Sequence, residues 1–174
     1  LDVVSARVRA LVALAQDENV VVVATAAALL YRTVRPELLV RGVRRLAPFD
    51  SFDPGELERH LVAFGYRHED PVTTPGDFAR RGGILDIFPP GRSAPVRLEF
   101  VGDDLEEIRA FDPQAQRTTE TIPDVELQPA NEWPAAQDDE HVVALGIIDL
   151  HGSAGMGSIL PRHDDFQASL FDYL

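Results

Sequence analysis

The 174 residues contain no cysteine and no lysine. Without cysteine there is no disulfide framework, no thiolate zinc site and no cysteine nucleophile. Without lysine there is no phosphate-binding G-x-x-x-x-G-K-[ST] loop, no Schiff-base chemistry and no lysine general base. All 16 basic side chains other than histidine are arginine. A GC-rich coding sequence produces such a bias by itself, and the chemical exclusions stand either way. Long apolar runs are also missing. The longest, Val20 to Leu30, falls short of the ~18 residues of a membrane span. The N-terminus has no basic-then-apolar signal pattern. We therefore expect a cytoplasmic chain.

Positive charge is scarce: 29 acids face 16 bases, for a net charge of −13. DNA binding rests largely on neutralising phosphates, so an acidic chain starts at a disadvantage there. An acidic surface suits a basic protein partner instead. The apolar fraction of 45% and the charged fraction of 26% are ordinary for a globular chain. The length allows one domain or two small ones with a buried core.

The apolar spacing then orders the chain. Val4, Val8, Leu11, Val12 and Ala15 share one face of a helix expected over 3–16. The β-branched run Val20–Ala24 reads as a strand buried on both faces. Thr25 caps a short helix through Leu30, and Pro36 limits it. A linking strand is expected over 41–47. Asp53 followed by Pro54 starts a helix that runs to Phe64 and stops at Gly65, with Leu57, Leu61, Val62 and Phe64 on its apolar side. Tyr66–Asp70 and Asp77–Arg81 read as edge strands around the turn Thr74–Pro75–Gly76.

Ile84, Leu85, Ile87 and Phe88 form a strand that Pro89, Pro90 and Gly91 stop. Val96, Leu98 and Phe100 alternate with Arg97 and Glu99, the pattern of a half-buried strand. Gly102–Asp103 fits a hairpin turn, with Leu105–Phe111 as the return strand. The expected fold class is α+β: an antiparallel sheet with one backing helix, inserted into part of an α/β layer. Residues 1–40 form a partial α/β lobe, 41–129 the α+β insert, and 130–174 the return segment. In that segment Val142–Leu150 reads as a strand and Asp164–Leu174 as a short helix or extended tail. The glycines of His151–Gly157 fall in the reverse order of a dinucleotide fingerprint and read as a surface loop.

Two constellations carry chemistry. Asp86 and Glu99, with Arg97 beside them, could be the acids of a metal-dependent nuclease. Such sites usually add a lysine two residues beyond the second acid, where this chain has Val101. The simpler reading is a salt-bridged pair of strand residues. None of the histidines His60, His68, His141, His151 and His163 has helical metal spacing or a serine partner. The second constellation is Arg67, His68, Arg80 and Arg81, bases clustered around one hairpin of an acidic chain. Guanidinium groups bind carboxylates through two parallel hydrogen bonds and are favoured at protein interfaces. From the residues alone two readings stay open: these side chains face a partner, or they neutralise Glu69, Asp70 and Asp77.

The ordered segments RRGGILDIFPPG, PVRLEFVGDD and IRAFDPQAQRT resemble one block shared by bacterial transcription-repair coupling factors and the excinuclease protein UvrB. FDPQAQRT, and SLFDYL at Ser169–Leu174, resemble the coupling factors rather than UvrB, with weaker similarity over 1–130. The resemblance implies a UvrB-like module that docks onto the excinuclease protein UvrA and has no catalysis or cofactor of its own. It implies contacts from the strand ending in Arg81–Gly82 and from the segment Tyr66–Arg67–His68. Phe78 would serve as an apolar anchor and Arg80 as a neighbour of Arg81. Where UvrB has a further arginine, this chain has Ala79. The resemblance also implies a parent protein driven by ATP and magnesium that displaces stalled RNA polymerase from DNA, in which the module can be masked. A fragment of UvrB, with the same partner, is the related alternative.

Overall fold

In the computed structural model the described residues are 3–16, 19–25, 28 and 32–132, with the backbone of 167–168. The chain opens with α1 (Val3–Ala15), β1 (Thr33–Val34), α2 (Pro36–Arg41), β2 (Arg44–Leu46) and α3 (Pro54–Ala63). Six strands follow: β3 (Arg67–His68), β4 (Asp77–Arg81), β5 (Ile84–Ile87), β6 (Val96–Val101), β7 (Asp104–Asp112) and β8 (Arg117–Thr121). They form one sheet in sequence order, antiparallel except for the parallel pair β3–β4 at one edge. β9 (Val125–Leu127) returns to pair with β2, and β10 (Gln167–Ala168) pairs with β1. The fold is α+β, with α3 backing the sheet.

The local chemistry that builds α3 is explicit. The Asp53 side chain accepts from the Gly55 amide at 2.7 Å, satisfying one of the open donors of the first turn. Pro54 occupies the first helical position, where it forfeits no helix bond. Gly65, at φ +87° just past Phe64, takes the left-handed conformation that ends many helices. The inner face of α3 presents Leu57 and Leu61 to Phe78, Leu85, Ile87, Leu98, Phe100 and Ile108 of the sheet. Val62 lies outside this contact and is 43% exposed, whereas His60 takes a buried place on the helix.

A second cluster joins α1 and α2: Val8, Leu11 and Val12 meet Leu38, Leu39 and Phe64. The helix α2 is short because Pro36 starts it and Gly42 follows its last turn. On the far face of the sheet, Val72, Ala79, Phe88 and Phe111 form a third, smaller cluster.

One expectation is overturned. Residues 20–24 do not form a buried strand. The segment pairs with no strand among the described residues, and Val21 and Val23 are each 94% exposed. A buried strand needs a neighbour on each edge, and no described segment supplies one. The Thr25 cap does form: its Oγ1 accepts from the Ala28 amide at 3.2 Å. The strand expected over 142–150 and the loop expected over 151–157 lie outside the described residues. Within 164–174, only the pairing of Gln167 and Ala168 with β1 is described.

Candidate functional site

The basic cluster expected around one hairpin sits on the β3–β4 edge, and strand alternation splits it. Successive side chains of a strand point to opposite faces. Along β4, Phe78 and Arg80 therefore turn toward α3, and Ala79 and Arg81 turn away from it. The contacts agree. Phe78 packs in the main core with Leu57 and Leu61, and Arg80 reaches Glu58 of α3 at 2.8 Å. Ala79 joins the far-face cluster with Phe111. Adjacent in sequence, Arg80 and Arg81 thus serve different surfaces.

Phe78 corrects an expectation. Its ring is 1% exposed, which leaves no surface for a partner to reach, so it acts as a core side chain. His68 stacks edge-on against it, with ring centroids 5.2 Å apart. Phe78 does lie on the expected strand, but its parity sends the side chain inward.

Each arginine of the edge has an acid in the same chain. Arg67 lies level with Asp77 in the parallel register and donates to its Oδ1 at 2.7 Å. Asp77 is nearly buried and also accepts from the Thr74 amide at 3.0 Å, which ties it to the turn before β4. Arg81 makes a two-pronged pair with Asp70. The hydrogen bond from Arg81 holds the Asp70 carboxyl below the usual carboxylate range, and Asp70 in turn raises the arginine. Both members are about half exposed, so solvent screens the pair and its worth to the fold is small. Beside it lies a shallow depression of about 340 Å³ bordered by Arg67, Glu69, Asp70, Thr73 and Asp77. Such an edge offers a partner exposed guanidinium forks and carboxylates of fixed position, with one solvent-screened internal pair, Arg81–Asp70, to exchange.

The nuclease constellation does not assemble. Asp86 lies across from Arg97 in the β5–β6 register. Both Asp86 oxygens accept from that guanidinium, at 2.7 and 2.8 Å. Arg97 in turn lies 4.9 Å from the centre of the Phe111 ring. A cation would have to occupy the space the guanidinium fills. Glu99 is level with Ile84 rather than Asp86 and approaches Arg109. Among the described residues no group of three or more His, Asp or Glu side chains could hold a metal ion, and no helix is long and apolar enough to cross a membrane.

Comparison with known proteins places this edge in context. The family model described as the UvrB interaction domain matches residues 45–133, which include all of β3 to β9. A transcription-repair-coupling factor of Myxococcus xanthus is 42% identical, the match covering 83% of this chain and 14% of that protein. That of Haemophilus influenzae is 33% identical over 81% of this chain and 12% of its own length. That of Bacillus subtilis is 36% identical over 57% of this chain and 8% of its length. The chain thus spans about one-seventh or less of these curated relatives.

Proposed function

Because the chain belongs to the UvrB interaction domain family, in the form found in transcription-repair coupling factors, we propose that it is a non-catalytic recruitment module that binds the excinuclease protein UvrA through the β3–β4 edge. The observation that carries this reading is the exposure of Arg67 and Arg81 on one face of that edge, their side chains 62% and 52% exposed, inside the matched segment. Arg80 and His68 border the same edge from the side of α3. In this reading the module brings the excision machinery to damaged DNA, and no cofactor binds to it. The larger protein of which it forms a part is proposed to supply the ATP- and magnesium-dependent motor that acts on stalled RNA polymerase and DNA.

Binding exchanges weak pairs for stronger ones. Arg81–Asp70 is solvent-screened in the free chain. Facing a carboxylate in a desolvated interface, the same guanidinium contributes more, and truncating one partner there costs about 2–5 kcal/mol. The test is a titration of purified UvrA against the wild-type chain and the double variant Arg67→Ala/Arg81→Ala, with thermal melts alongside. We expect affinity to fall roughly thirtyfold, near 2 kcal/mol. Arg67→Ala strips the buried Asp77 carboxylate of its counter-charge and leaves it the bond from the Thr74 amide. Arg81→Ala alone, whose partner is half exposed, is therefore titrated alongside and is expected to weaken binding at nearly constant melting temperature. Unchanged affinity at unchanged melting would reject the docking role of these arginines.

A further inference from the structure

We propose that Phe49 is an aromatic anchor of the same docking surface, presented in a strained turn at the end of the sheet that carries Arg81; the proposal rests on the recruitment reading above. The turn Ala47–Pro48–Phe49–Asp50 is closed by a hydrogen bond from the Asp50 amide to the Ala47 carbonyl at 3.2 Å. Proline holds its second position, and its third residue, Phe49, has φ +76°. A turn of this kind assigns that place to glycine, since a side chain there crowds the backbone. Strain of this sort persists where the surroundings enforce it, and it gathers at functional positions.

No aromatic contact of the Phe49 ring among the described residues repays the strain. The Phe49 ring is 86% exposed and stacks on none of the other aromatic rings described. Yet the turn is held rigidly. The Asp50 side chain accepts from the Ala47 amide at 2.8 Å. The Phe49 amide donates to the Leu105 carbonyl at 2.7 Å, and the Leu105 amide donates to the Asp50 carbonyl at 2.8 Å. The Phe52 amide reaches the Asp103 carbonyl, also at 2.8 Å, and the Phe52 ring meets Phe100 edge-on. A large apolar ring carried in water on a backbone already held by hydrogen bonds is the profile of an interface anchor.

Register gives the surface. Arg81 pairs with Ile84, Ile84 with Glu99, and Val101 with Asp104, while the 49–51 segment lies along the opposite side of the start of β7. Four strand spacings of about 4.8 Å separate β4 from the turn, so Arg81 and Phe49 stand roughly 20 Å apart, within one standard interface patch. Ile84, 37% exposed, and Val101, 69% exposed, lie between them. Asp103 and Asp104 are exposed at the hairpin tip beside the turn. The complementary site on the partner is an apolar pocket with a basic rim.

The experiment titrates UvrA against wild type, Phe49→Gly, Phe49→Trp and Arg81→Ala, with a thermal melt of each. Phe49→Gly is expected to melt at a higher temperature, because glycine relieves the positive φ, and to bind at least tenfold more weakly. Phe49→Trp is expected to retain most of the affinity. Phe49→Gly affinity within twofold of wild type, with Arg81→Ala weakened, overturns the anchor and leaves the recruitment reading standing. A lower melting temperature for Phe49→Gly overturns the premise of strain. No binding by wild type overturns both proposals.

Discussion

His60 is buried at 3% exposure, between α3 and Gly42, where its Nε2 lies 3.2 Å from the Gly42 carbonyl oxygen and its N–H donates to it. The Phe64 ring packs beside it at 4.7 Å. Burial disfavours the imidazolium and pushes the pKa down from 6.5 to about 4, partly opposed by the bond to Gly42. The unfolded chain takes up a proton near 6.5, while the folded chain does so only near 4. Stability is therefore full above 6.5 and declines as pH falls through that window, by up to about 3 kcal/mol. Urea unfolding at a series of pH values checks this. The slope between 6.5 and about 5, above the range of the carboxylates, is expected in wild type and absent in His60→Gln; a slope that persists there in the variant assigns the effect to other groups. The carboxylates that Arg81, Arg109 and Arg45 help to hold low, Asp70, Glu107 and Glu126, begin to lose their stabilising charge as pH falls through their ordinary values of 3.8 and 4.5, so they act only at the acid end.

At the scale of elements, the junction after α3 sets where β3 begins and so where the docking edge lies. Gly65 supports it with φ +87°, and a Cβ at that position would come within 2.6 Å of the Asn131 Cβ. The amides of Ala130 and Asn131 donate to the Phe64 carbonyl just before it, tying the return segment to the helix end. Gly65→Ala is expected to destabilise the chain by about 1–2 kcal/mol, the cost of a left-handed alanine plus the displaced contact. The denaturation midpoint measures it, and a midpoint equal to wild type would show that the junction rearranges freely. A comparable close approach occurs at the β4–β5 turn, where a Cβ on Gly83 would meet the Phe100 carbonyl oxygen at 2.6 Å. That contact fixes the turn after Arg81 against β6.

Over the whole molecule, the field is negative, and the bases are largely spent internally. Nine arginines form ion pairs with acids among the described residues, against a net charge of −13 for the full sequence. A continuous basic groove for phosphates is therefore not expected. Duplex DNA is expected to bind weakly, and more weakly still as salt rises. A gel shift at ~150 mM salt checks this, and a nanomolar midpoint would contradict it.

The helix that begins at Asp53 and Pro54, its stop at Gly65 and the strands between Asp77 and Phe111 were legible in the sequence, because capping residues, hairpin turns and period-two alternation act over a few neighbours. The strand β8 was not legible: Arg117–Thr121 is exposed throughout and has no apolar alternation, so only its pairing with β7 defines it. The helix α2, starting at Pro36, was likewise hidden by its shortness. Among the site residues, the arginine cluster was visible as composition, but its division between two faces followed only from the register of β4. Alternation made Phe78 a core residue, and pairing across strands bound Asp86 to Arg97. Sequence alone determined the chemistry excluded from this chain, since a missing cysteine or lysine cannot be restored by folding. Tertiary structure decided which charges face each other and which remain in water, since that depends on strand pairings that close loops of ten to eighty residues.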